Sequence, residues 1–211
     1  MKVVGIGYRD WSIEIYNRLK RKKIDIKILK KKKINYKIIN SINPEYILFY
    51  GWSWKVPSKI TKKYKCIMLH PSKLPNFAGG SPIQNQIIRN VKKSAVTLFR
   101  MNEKIDEGNI IYQLNMSLSG TLNDIFNRII TKGTLLTLKM FKKYNEKKSN
   151  VKKFYKRLKP INSEITLDEL RTKKGSYLFN KIRMLQDPYP NPYIRTQDNK
   201  KLIIKKVILK K

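Results

Sequence analysis

Apolar residues fall along this chain in two alternating periods. Short runs at residues 3–6, 24–29, 46–50, 66–70 and 95–101 are dense in Val, Ile, Leu, Phe and Tyr, and they read as strands. The segments between them are polar or helical. After Gly7, for example, Trp11, Ile15 and Leu19 recur at helical spacing, with Asp10 placed to cap the helix. This alternation predicts an α/β domain with a mostly parallel sheet flanked by helices. The longest helical pattern begins at Thr121. Leu122, Ile125, Phe126, Ile129, Ile130, Leu136, Met140 and Phe141 keep to one face, and Thr121 with Asp124 has the spacing of a capping box. That helix is expected to cover the sheet.

The texture changes from residue 149 onward. A Lys-rich polar stretch leads through Pro160 to a helical pattern at 177–185 and a proline cluster at Pro188, Pro190 and Pro192. Residues 193–196 and 202–209 then read as two strands joined across Asp198-Asn199. The chain is therefore expected to divide into a main domain at 1–148 and a small C-terminal accessory helix and β-hairpin at 149–211.

Charge changes the picture less than its size suggests. The formal charge is +34, from 48 basic against 14 acidic residues, which invites phosphate-bearing partners. Ala, however, occurs only at 78 and 95, while Lys, Ile, Asn and Tyr dominate, the composition of an AT-rich genome. Lysine is spread along the chain with one short run at 30–33, the pattern of a solvated surface more than of a polyanion groove. Cys66 is the single cysteine, so one chain builds neither a disulfide nor a cysteine-based zinc site. No apolar stretch is long enough to span a bilayer and residues 1–10 do not form a signal peptide, so a soluble, cytoplasmic protein without membrane association is expected. Gly5-Ile6-Gly7 lacks the third glycine of a dinucleotide fingerprint and reads as a turn.

Candidate chemistry gathers around one residue. His70, the only histidine, closes an apolar run, and Pro71 restricts it to extended geometry. Ligands of open parallel sheets bind at the carboxyl ends of strands, where this imidazole would stand. Gly79-Gly80 would allow close backbone approach. Ser81, Pro82 and Gln84 resemble the start of a capped helix whose N–H groups favour negative charge. Asp106 lies in a loop past the end of the run at 95–101, so the two residues are expected to meet across one crevice. Trp52 and Trp54, two apart on an extended segment, suit either core or pocket wall, and Met68 reads as core.

His70-Pro71-Ser72-Lys73-Leu74-Pro75, then Gly79-Gly80-Ser81-Pro82-Ile83-Gln84, then Asp106-Glu107-Gly108 with the aspartate 36 positions after the histidine, resembles the folate-dependent formyltransferases. The likeness runs over residues 46–113, including the 51–57 segment, and resumes at 159–193. It implies 10-formyltetrahydrofolate as co-substrate, no metal, and His70 with Asp106 as the catalytic pair. It further implies Trp52, Trp54, Gly79, Gly80, Asn102 and Gly108 around the donor; Gln84, Asn85 and Ser72, with the backbone N–H groups of residues 79–81, are this chain's own candidates for oxyanion or supporting groups. One departure stands out: such enzymes carry asparagine two positions before the histidine, where this chain has Met68. The favoured acceptor is the amino group of a nucleotide-linked sugar. Methionyl-tRNA is the alternative, and a non-catalytic polyanion-binding protein on the same fold is a third reading.

Overall fold

The computed structural model describes residues 1–30, 34–151 and 153–210, so most of the lysine run at 30–33 lies outside the described residues. Strands β1 (Val3–Gly7), β2 (Ile26–Lys30), β3 (Tyr46–Tyr50) and β4 (Lys65–His70) alternate with helices α1 (Asp10–Arg21), α2 (Tyr36–Ile42) and α3 (Ser58–Lys63). After β4 come the two-residue strand β5 (Ala78–Gly79) and the short helix α4 (Pro82–Ile87). Strands β6 (Lys93–Arg100) and β7 (Ile110–Ser117) then lead into the long helix α5 (Leu122–Lys142). The main sheet has the order β2-β1-β3-β4-β6-β7. The first four strands are mutually parallel, as expected, but β6 runs antiparallel to β4, and β7 antiparallel to β6.

The two-residue period of the strands sorts their side chains onto two layers. Leu48, Ile67, Leu69, Val96 and Leu98 join Ile15 and Leu19 of α1 and Ile125, Ile129 and Met140 of α5 in one buried cluster. Val4, Ile6, Ile47, Phe49 and Cys66 meet Ile39 of α2 and Ile60 of α3 in the other. Thr121 and Asp124 form the capping box read from the sequence, and α5 covers the sheet beside α1. Asp10 does not cap α1. Arg9 occupies that position in extended geometry, and Asp10 is the first helical residue, where its charge faces the positive end of the helix.

Where β1 and β3 end, Tyr16 of α1 is driven between them. Its hydroxyl lies 3.0 Å from the Ile6 carbonyl and 2.8 Å from that of Leu48, and it accepts the Tyr50 N–H at 2.8 Å. One fully buried phenol thus satisfies backbone groups of two strands as the crevice beyond them opens. Gly5 and Gly7 make room for this: a Cβ on Gly5 would strike the Tyr16 ring, and one on Gly7 would strike Ser12 and the Tyr50 carbonyl.

Beyond α5, strand β8 (Phe154–Tyr155) pairs in parallel with β5. A 3-10 turn (Pro160–Ser163), helices α6 (Leu167–Thr172) and α7 (Gly175–Met184), and the hairpin β9 (Tyr193–Arg195) and β10 (Lys201–Ile203) follow. The second hairpin strand is shorter than the 202–209 run suggested. Its apolar residues Leu202, Ile203, Ile208 and Leu209 are exposed, and lysines punctuate the run too often for one face to be buried.

Cys66 tests the inner layer. It is fully buried, and burial pushes its thiol up to about 12. Because only the thiolate reacts, labelling of native protein by a thiol reagent at pH 8 is expected to be at least about 10²-fold slower than in denaturant. Stopped-flow or mass-shift kinetics would measure it, and fast native labelling would mean that this layer opens.

Candidate active site

The cleft lies beyond the carboxyl ends of β1, β3 and β4 and has a volume of about 560 Å³. Arg9 follows β1, residues 51–56 follow β3, and His70 with residues 79–84 follows β4. The loop after β6 supplies Asn102 through Asp106, and Phe154, Tyr155, Arg157 and Tyr189 of the C-terminal segments close the remaining wall.

His70 is almost wholly buried. Its Nε2 lies 2.9 Å from the Phe77 carbonyl, and since a carbonyl only accepts, Nε2 carries the proton there. Nδ1 faces Asp106 Oδ2 at 3.5 Å, as an acceptor in the neutral ring and as a second donor in the imidazolium. The same Oδ2 accepts the Gly79 N–H at 2.8 Å. The pair expected from the sequence therefore meets, but by a different route. Because β6 runs antiparallel to β4, with Arg100 opposite Ile67, its carboxyl end points away from His70. The loop at 101–109 must fold back to bring Asp106 to the imidazole. Its base is closed by the Arg100 N–H donating to the Asn109 carbonyl at 2.8 Å, and Asp106 sits in the left-handed region at φ +54°.

Several neighbours have structural duties. Ser72 donates to the Asn76 carbonyl at 2.7 Å, away from the cleft. Asn85 also lies off the cleft. Its amide donates to the Gly80 and Lys156 carbonyls at 2.8 and 3.1 Å, and its oxygen accepts from Arg89. Gln84 reaches the cleft wall, with its amide donating to the Met184 carbonyl at 3.4 Å. The capping box read at Ser81 and Gln84 does not form, because Ser81 is left-handed at φ +48° and its hydroxyl accepts the Leu158 N–H. Gly79 and Gly80 do permit a close approach, but what approaches is the chain itself: Cβ atoms there would strike the Tyr155 backbone and Arg157. Gly108 is buried off the cleft beneath the Asp106 loop. Asn102, which is exposed, accepts the Lys104 N–H at 2.9 Å and helps to shape that loop.

An aromatic wall stands opposite. Trp52 meets Phe49 and Trp54 edge-on, at centroid distances of 5.8 and 4.9 Å, and Trp54 leans on Tyr8 at 5.0 Å. Trp54 is well exposed, whereas Trp52 is buried with no hydrogen-bond partner for its indole N–H. Met68 is half-buried: it packs against the buried clusters of Phe49 and Phe99, as its core reading expected, and it also lines the cleft. Four cations, Arg9, Lys55, Lys104 and Arg157, also line it. Among the described residues, Arg9, Lys55 and Arg157 have no acidic partner, and Arg9 lies over the rings of Tyr8 and Tyr189 instead. The sequence reading missed Arg9, Arg157, Tyr155 and Tyr189. Only Tyr189, in the Asp187-Pro188-Tyr189-Pro190 motif, carried a visible signal.

Comparison with known proteins agrees with this architecture. Residues 11–136 match the formyl transferase family model, and the chain belongs to that family. The methionyl-tRNA formyltransferase of Rickettsia massiliae is 34% identical over 107 residues, covering 49% of this chain and 35% of that protein. The chain thus matches about a third of the length of such curated relatives. A structure of methionyl-tRNA formyltransferase from Clostridium thermocellum superposes with a TM-score of 0.88 at 29% identity, covering 100% of this chain and 94% of the other. Two more distant structures share the fold. A 4-N formyltransferase from Francisella tularensis has a TM-score of 0.80 at 19% identity over 99% of this chain and 98% of its own. HypX from Aquifex aeolicus, in complex with tetrahydrofolic acid, has a TM-score of 0.84 at 15% identity over 98% of this chain and 37% of its own.

Gly108 probes the folded-back loop. A Cβ there would coincide with the Arg100 carbonyl oxygen, so the backbone itself must give way. Gly108→Ala is expected to cost about 1–3 kcal/mol of stability and to displace Asp106. A denaturant titration of the purified variant measures the first effect; an unchanged midpoint would show that the loop is not held as described.

Proposed function

We propose that this protein moves a formyl group from 10-formyltetrahydrofolate to the primary amine of a phosphate-bearing acceptor, with His70 and Asp106 as the catalytic pair. The observation that carries the reading is the His70 geometry. Phe77 engages Nε2, which leaves Nδ1 as the basic atom beside a carboxylate that is itself held by a backbone N–H.

The aromatic wall suits a flat heteroaromatic donor, and the buried Trp52 indole N–H is an orphaned donor that such a ligand could satisfy. When bound, the donor supplies the carbonyl carbon that the amine attacks. An attacking amine must lose a proton, and Nδ1 of His70 is the group positioned to take it; as the formyl C–N10 bond breaks, the departing N10 would take up a proton in turn, leaving the formamide and tetrahydrofolate. The new N–H then lies against Asp106, which stabilises the imidazolium. In that state His70 acts through its positive charge on the oxygen that gains negative charge, since its two N–H groups face Phe77 and Asp106. Ser72 and Asn85 are turned away and the Gln84 amide is engaged, so His70 is the main side chain left for that task.

Arg9, Lys55, Lys104 and Arg157 support an acceptor that carries phosphate, since unpaired guanidinium groups at a cleft favour bidentate anion binding. A nucleotide-linked amino sugar fits this cleft, while the Gly-Gly-Ser-Pro-Ile and Asp-Pro-Tyr-Pro motifs suit the sugar and tRNA branches alike. Methionyl-tRNA is the second reading, favoured by identity to the Rickettsia and Clostridium proteins. Turnover of both acceptors with the folate donor decides between them. RNA binding without any preference for folate analogues would instead support a polyanion binder.

Two substitutions test the chemistry. His70→Asn is expected to lower kcat by at least about 10²-fold with little change in donor affinity; equal turnover would remove the central claim. Met68→Asn places an amide donor in the cleft and is expected to raise kcat, by up to about 10²-fold if it acts as an oxyanion donor. An unchanged kcat would locate that donor elsewhere.

A further inference from the structure

The catalytic pair is anchored from a segment that lies far along the chain. Phe77, whose carbonyl engages His70, has φ +57°, a conformation that L-residues with bulky side chains avoid unless their surroundings impose it. What surrounds the Phe77 ring is Tyr155, stacked on it with centroids 4.8 Å apart and planes 18° from parallel. The Tyr155 backbone does a second job. Its carbonyl accepts the Gly80 N–H at 2.8 Å, and β8 lies alongside β5, which sets the direction of the neighbouring Gly79 N–H that holds Asp106. Tyr155 is itself held. The Arg89 guanidinium lies over its ring at 4.7 Å and is fixed by the Asn85 carbonyl and side-chain oxygen, while Asn85 bonds Gly80 and Lys156 on either side.

We propose that Tyr155 is a positioning residue: through Phe77 it sets the tautomer of His70, and through Gly79 it orients Asp106. The ring stack fixes the Phe77 carbonyl, and this carbonyl keeps the proton on Nε2 and the lone pair on Nδ1. Without the ring, Phe77 is free to relax from its left-handed conformation and the imidazole loses its preference between nitrogens. The proposal rests on the catalytic reading of His70, but its first consequence is structural and can be read without turnover.

His70 is the only histidine, so its ring nitrogens give a single, unambiguous set of 15N NMR signals. These would be recorded at alkaline pH, where the ring is neutral, for the full chain and for Tyr155→Ala, Tyr155→Leu and Tyr155→Phe. Leucine keeps bulk without an aromatic face, and phenylalanine keeps the face. The wild type and Tyr155→Phe are expected to show one tautomer, protonated on Nε2. Tyr155→Ala and Tyr155→Leu are expected to show a mixture, with kcat lowered at least about tenfold, and Tyr155→Phe to recover both. A single unchanged tautomer in the folded alanine and leucine variants would overturn the proposal, even if their turnover fell. A mixed tautomer with undiminished turnover would support the anchoring of His70 while removing its catalytic role.

Discussion

The geometry of the cleft depends on one strand running against its neighbours. Had β6 joined β4 in parallel, its carboxyl end would open directly beside His70 and an ordinary loop could present an aspartate there. Because it is antiparallel, the loop at 101–109 has to return along the sheet, and its narrow base leaves no room for a side chain at Gly108. The carboxylate that arrives has its own anchor in the Gly79 N–H. Acid and imidazole are thus held from different sides, by backbone groups rather than by each other. That arrangement allows a separation of 3.5 Å without loss of alignment.

Much of the fold was legible in the sequence because it depends on local signals. The buried strands announce themselves as apolar runs, and the start of α5 as Thr121 with Asp124, where both halves of the cap lie within one turn. His70 and Asp106 were legible through their places past strand ends together with the resemblance to the formyltransferases. The direction of β6 was not, since an apolar run has the same pattern in either orientation. Nor was the β5–β8 pairing, in which two residues meet two others across more than seventy positions. Asn85 and Ser72 looked like donors to a substrate because their chemistry suits it. Only the coordinates reveal that their hydrogen bonds are spent on the chain. Asp10 has the chemistry of a cap but stands one residue late.

Charge shows the same division between what is dispersed and what is placed. Among the described residues, most lysines stand alone on the surface or in exposed pairs such as Lys62 with Glu103, worth little in water. The cleft gathers Lys55 and Lys104 with two of the chain's few arginines, Arg9 after β1 and Arg157 after β8. Arg9 keeps its guanidinium over aromatic faces, which hold it without neutralising it.

The β5–β8 contact also orders events in time. A ribosome delivers His70 and Asp106 well before it delivers Tyr155, and the main sheet contains no strand beyond β7. A nascent chain would then hold His70 and Asp106 while the segment that pairs with Gly79 is still inside the exit tunnel. The wall of the cleft closes last, when a two-residue strand lies against Ala78 and Gly79.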